Sequence, residues 1–182
     1  MLNLQHVLQK QSSGQERPAT GSGGRVSIRD RLLAQEVSDL AGLPGTCRVD
    51  FPSPPHLETL EVTITPDEEP YAGGSFKFRV EVPLEYNNEP PRVKCLTRMW
   101  HPNISEEGGV CLSLLRQTSL DGLGWAPTRR LKDVILGLNS LFSDLLDFDD
   151  PLNLEAADLF RQNRDAFNRK VKDYIRYYCK QS

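Results

Sequence analysis

Among 182 residues there are four cysteines, three histidines and two tryptophans, and no uninterrupted apolar run approaches the ~18 residues that span a bilayer. No membrane-crossing helix is expected. Cys47, Cys95, Cys111 and Cys179 include no Cys-x-x-Cys pair, which fits neither a zinc knuckle nor a secreted disulfide framework. Reduced thiols and no metal site follow. The net charge of -3 lacks the basic excess of a nucleic-acid footprint, so protein partners are favoured over nucleic acid or membrane. Met1 to Lys10 has no charged start followed by an apolar block and cleavage site. A cytoplasmic and/or nuclear location is the expectation.

The length suits one domain with a real core. Residues 1–26 divide into an apolar-striped head and a Ser, Gly and Gln-rich tail from Gln11 to Gly24, which reads as a flexible linker. In the head, Met1, Leu4 and Leu8, flanked by Leu2 and Val7, have helical spacing. Two readings stand: a segment that folds into a partner's groove, or a frayed terminus. The folded domain is expected over 27–182.

Ser27 with Asp30 makes a capping-box-like start, and Ile28, Leu32, Leu33, Val37 and Leu40 lie on one face until Gly42 and Pro44 end the helix. Arg25, Arg29 and Arg31 oppose the dipole there, as an acidic partner or simply a solvated face would explain. Period two then takes over: Cys47, Val49, Phe51; Leu60, Val62, Ile64; Phe76, Phe78, Val80, Val82; Val93, Cys95. Four strands joined by short loops predict an antiparallel meander with one buried face, and Cys47 and Cys95 fall on it. Gly73-Gly74 reads as a turn, since no phosphate-loop pattern follows. Beyond a polar excursion from Gln117 to Gly124, Thr128 is a candidate cap for a helix striped by Leu131, Val134, Ile135, Leu138, Leu141 and Phe142. Asn153 caps the next, and Phe167, Val171, Tyr174, Ile175 and Tyr178 stripe the last. Strands in a run with helices to either side define an α+β domain.

Between strands and helices lies Trp100-His101-Pro102-Asn103-Ile104, with Cys111 eight residues beyond Asn103 and directly after a glycine-rich loop. A loop thiol beside a side-chain amide suits acyl-thioester chemistry: a soft nucleophile and a donor for the oxyanion. Buried filler is the bland reading of Cys111, and a turn residue that of Asn103. A hydrolase needs a histidine base, and His101, stiffened by Pro102, is more typical of a loop brace. Glu106 and Glu107 precede Cys111 and no lysine or arginine lies within four residues. The sequence therefore offers no local cation for the thiol, and an acyl carrier is favoured over a protease.

These residues, together with Tyr86 before Pro90-Pro91, Trp125 with Pro127, and Asp149-Asp150-Pro151-Leu152, resemble the ubiquitin-conjugating enzymes over residues 27–178. The N-terminal extension and Thr65-Pro66-Asp67-Glu68 look like the neddylation-conjugating branch, and the 117–124 insertion is similar to its F type rather than its M type. The resemblance implies the family's fold of helix, four-stranded meander, active loop and C-terminal helices. It implies a ubiquitin-like neddylation modifier carried as a thioester on Cys111, delivered by the neddylation-activating enzyme and passed to a lysine of cullin-type substrates with a RING-type (RING-box/cullin) ligase.

By the same resemblance Asn103 supports the oxyanion or its loop, and Asp150 orients and helps deprotonate the incoming lysine. Asn88 and Pro127 fall in the ligase-docking loops, where many members carry a large apolar residue in place of Asn88. Met1, Leu2 and Leu4, with an acetylated N-terminus, would enter a pocket of defective-in-cullin-neddylation proteins, and with Arg29 and Arg31 they form the expected docking region for the activating enzyme. No cofactor is implied, because ATP is used by the activating enzyme. The rivals are a ubiquitin-conjugating enzyme of the same fold, a non-catalytic modifier-binding scaffold, and a cysteine hydrolase.

Overall fold

The computed structural model describes residues 26–54, 56–117, 122–143 and 150–179. The expectations for Met1, Leu2, Leu4 and the linker fall outside that set, as do residues 118–121 of the insertion.

Helix α1 (Ile28–Asp39) begins where the sequence places its cap: the Ser27 hydroxyl accepts from the Asp30 amide at 3.0 Å. A 3-10 turn at Leu40–Gly42 ends it. Its buried face is narrower than the stripe predicts, because Leu33, Val37 and Leu40 are buried whereas Ile28 is exposed at the helix mouth. Glu36, which is not part of that stripe, is buried as well.

The strands are β1 (Cys47–Asp50), β2 (Thr59–Ile64), β3 (Phe76–Glu81) and β4 (Arg92–Cys95), antiparallel throughout and in the order β1-β2-β3-β4. Register sets Val49 opposite Val62, Val62 opposite Phe78, and Phe78 opposite Cys95. Alternation then drives Leu60, Val62, Ile64, Phe76, Phe78 and Val80 to one face, all buried. Cys95 belongs to that core, while Cys47 is half-buried on the first strand.

Helix α2 (Leu131–Ser140) covers this face and touches β2 and α1. Leu131, Val134, Ile135, Leu138, Leu141 and Phe142 are buried as the spacing predicts. Its start differs from expectation. Thr128 lies outside the helix; Arg130 is the cap, and the Asp133 carboxylate accepts from the Arg130 amide at 2.8 Å. An acid in the first turn does this job and also matches the helix dipole. Helices α3 (Leu154–Gln162) and α4 (Arg164–Tyr178) follow, capped by Asn153 and Asn163, whose side chains accept from Ala156 and Ala166. Among the described residues, four helices and a four-stranded meander match the α+β reading of the sequence.

Candidate active site

The loop after β4 is held by its own backbone. Cys95 N–H donates to Gly108 O at 2.8 Å, and isolated bridges join Lys94 to Gly109, His101 to Ile104, and Ile104 to Val110. Gly108 has φ +86°, and a Cβ there would stand 2.2 Å from the Cys95 carbonyl oxygen. Only glycine fits this crossing of two backbones. The next step returns the chain to the histidine-proline-asparagine segment, where the Cys111 amide donates to the Asn103 carbonyl at 2.8 Å. The two residues that sequence alone suggests for acyl chemistry are therefore coupled through the main chain.

Asn103 is fully buried and Cys111 half-buried. The other thiols are unlike a carrier: burial pushes Cys95 up to about 12 and raises Cys47 and Cys179 above their ordinary values. Such thiols are protonated near neutral pH, and they behave as small apolar groups.

His101 is fully buried among Tyr71 and Phe142. Its Nδ1 accepts from the Asn103 amide at 2.9 Å, and its Nε2–H donates to Leu141 O at 2.7 Å. Both nitrogens are used. Burial lowers its pKa to about 4, opposed by the bond to Leu141, so the ring is neutral at physiological pH and holds the Asn103 loop against the end of α2. Pro102 is buried beside it, and its carbonyl accepts from the Asn153 amide at 2.9 Å. That bond ties the start of α3, and with it the segment from Asp150 to Leu152, to the active loop.

Asp150 is exposed at the start of the segment leading to α3. Arg116 Nη2 lies 3.5 Å from Asp150 Oδ2 and 3.6 Å from Cys111 Sγ. No lysine or arginine lies within four residues of Cys111 along the chain, but a 3-10 turn at Ser113–Leu115 bends it so that an arginine five residues on reaches back to the sulfur. A search within four residues misses it, and nothing in the helical or strand periodicities marks so short a turn.

Asn88 and Pro127 are both exposed, and the structure brings their loops together. Asn87 Nδ2 donates to Pro127 O, and Trp125 Nε1 donates to Asn87 O at 2.8 Å. Tyr86 packs against Trp125 with ring centroids 5.9 Å apart. Beneath them Glu36 Oε2 accepts from Tyr86 Oη and from the Leu131 amide, each at 2.8 Å. Glu36 is the second residue that sequence reasoning missed, since a glutamate on a helix reads as solvated. At the mouth of α1, Arg29 pairs with Asp30 at 2.8 Å with its side chain 15% exposed, whereas Arg31 is exposed. Among the described residues no group of three or more His, Cys, Asp or Glu side chains could hold a metal ion.

This meander, with its helices and a half-buried thiol on the loop beyond the fourth strand, is the frame of a thioester carrier. The family profile described as "Ubiquitin-conjugating enzyme" matches residues 32–175, and the chain belongs to that family. It is similar to the NEDD8-conjugating enzyme UBE2F of Gallus gallus, 58% identical over 90% of this chain and 89% of the relative. UBE2F of Homo sapiens is 58% identical over 89% and 88%, respectively. The NEDD8-conjugating enzyme ubc-12 of Caenorhabditis elegans is 50% identical over 94% and 98%.

Proposed function

We propose that the chain is a neddylation-conjugating enzyme, an aminoacyltransferase that receives NEDD8 on Cys111 from the NEDD8-activating enzyme and transfers it to a lysine of cullin-type substrates with a RING-box ligase. The observation that carries this reading is the placement of Cys111, hydrogen-bonded through its amide to the Asn103 loop in a family domain. The 50–60% identity to NEDD8-conjugating relatives across most of the chain supports the choice of modifier.

In the first half-reaction the Cys111 sulfur attacks the activating enzyme's thioester carbonyl and the modifier's C-terminal acyl group changes sulfur. In the second, a substrate lysine attacks the new thioester and leaves an isopeptide bond. Asn103 supports the oxyanion or the loop that shapes its site, and Asp150 orients the lysine amine and eases loss of its proton. Help of this kind is needed because free lysine has a pKa of ~10.4. The paired loops carrying Asn88 and Pro127 form the ligase-facing surface. Residues 1–26 reach the activating enzyme, and Met1, Leu2 and Leu4 dock on defective-in-cullin-neddylation proteins. The protein works in the cytoplasm, the nucleus or both.

One assay tests the modifier. The protein is incubated with ATP and either the NEDD8 or the ubiquitin activating system, and the products are run without reductant. A thiol-sensitive adduct with the NEDD8 set alone, lost in Cys111→Ala, is expected; charging with ubiquitin alone overturns the reading. Asn103→Ala and Asp150→Ala should still charge but discharge to lysine more slowly, by about 10²-fold for the former if its amide meets the oxyanion.

A further inference from the structure

The Arg116 guanidinium sits between the nucleophile and the acidic residue at the lysine entrance. Its Nη2 is 3.6 Å from Cys111 Sγ and 3.5 Å from Asp150 Oδ2. The backbone under it is pinned on both sides: Arg116 N–H donates to Ser113 O at 3.0 Å, and Arg116 O accepts from Trp125 N–H at 2.8 Å. The second bond also closes the base of the 117–124 insertion. The cation is thus aimed by a 3-10 turn in front and the backbone bond to Trp125 behind.

We propose that Arg116 is a catalytic residue that stabilises negative charge on the Cys111 sulfur and, through its ion pair, holds Asp150 facing the thioester; this rests on the thioester-carrier reading above. In aminolysis the lysine nitrogen lone pair forms the C–N bond, the tetrahedral oxyanion collapses, and the C–S bond breaks with its electron pair passing to Cys111 Sγ. The proton lost by the lysine nitrogen passes to the Asp150 carboxylate or to water. Charge therefore appears on the atom that Arg116 faces. Guanidinium remains protonated throughout and cannot take the proton itself. In charging, the Cys111 thiol gives its proton to solvent, its sulfur carries the charge as it forms the new C–S bond, and the activating enzyme's C–S bond breaks with its electron pair passing to that enzyme's sulfur.

The Arg116 and Asp150 side chains are 40% and 76% exposed, so water screens the pair and its stabilising effect on the fold is small. Arg116 can therefore be replaced without unfolding the domain, and a transition-state charge is where it should count.

The test compares Arg116→Gln and Arg116→Lys with wild type. Cys111 alkylation by iodoacetamide at pH 7, followed at that peptide by mass spectrometry, needs no modifier and so reads Arg116 even if the choice of NEDD8 is wrong. Single-turnover discharge of the charged enzyme to free lysine reads the second role. Arg116→Gln should slow both by about tenfold at an unchanged unfolding midpoint, and Arg116→Lys, which keeps the charge, should recover most of each rate. In an Asp150→Asn background Arg116→Gln should still slow alkylation but cost less in discharge, as coupled groups do. Either rate staying within about twofold of wild type in Arg116→Gln, or Arg116→Lys being as slow as Arg116→Gln, overturns the proposal.

Discussion

His101 shows how a residue type suggestive of acid–base chemistry becomes a strut. Its neutral ring fits one acceptor and one donor partner, Leu141 O and the Asn103 amide respectively, and protonation would set a second N–H against an amide donor in a dry site. The sign of the pH effect follows. The folded value, about 4, is below the ordinary 6.5, so the unfolded chain binds the proton more readily. The contribution of neutral His101 is fully present above about pH 6.5 and is lost as pH falls toward about 4. Between pH 7.5 and pH 5 this one group should remove about 2 kcal/mol of stability. Denaturant unfolding at both pH values checks it: the wild-type loss should exceed that of His101→Gln by about this amount, and an equal loss in both excludes His101 as its source. At pH 7.5 His101→Gln should still charge and discharge, because the ring takes no proton in the reaction.

At the scale of elements, the domain is stitched where elements meet rather than within them. Glu36 on α1 accepts from Tyr86 Oη in the loop carrying Asn88 and from the first amide of α2. That single carboxylate oxygen fixes the helix nearest the N-terminal extension, the loop carrying Asn88, and the helix that closes the core. Burial and the Glu36 carboxylate together raise the Tyr86 phenol far above its ordinary value, so it remains a donor. Glu36→Ala leaves a buried phenol and a helix-start amide without their acceptor, a loss of about 2–4 kcal/mol. Glu36→Gln keeps an acceptor oxygen of the same shape and should lose less than half as much. Thermal unfolding of the two variants orders them, and equal destabilisation would show that the carboxylate charge rather than an acceptor of the same shape is what matters. Of the two, only Glu36→Ala should also weaken ligase-stimulated discharge, because the Asn88 and Pro127 loops meet over Tyr86 and Trp125.

For the molecule as a whole, the domain and the N-terminal extension should separate in function. Deleting residues 1–26 is expected to slow charging by the NEDD8-activating enzyme severalfold while the unfolding midpoint stays put, since the buried core of the described residues runs from Leu33 to Val171; an unchanged charging rate excludes the extension as a docking element. By itself the sequence determined what repeats: the period-two strands, the α2 stripe from Leu131 to Phe142, and the Ser27 and Asn153 caps, because local periodicity records which face meets the core. Its motif spacing also singled out Cys111 and Asn103, since the chemistry limits residue types at a loop, whereas Asp150 came only with the family resemblance. Only the tertiary structure decided what depends on chain reversal. The bend at Ser113–Leu115 that carries Arg116 back to the thiol, the burial of Glu36 under Tyr86, and the two-sided bonding of His101 each join residues through contacts with no sequence period. A charged side chain reads as solvated until a neighbouring element supplies the partner that makes its burial affordable.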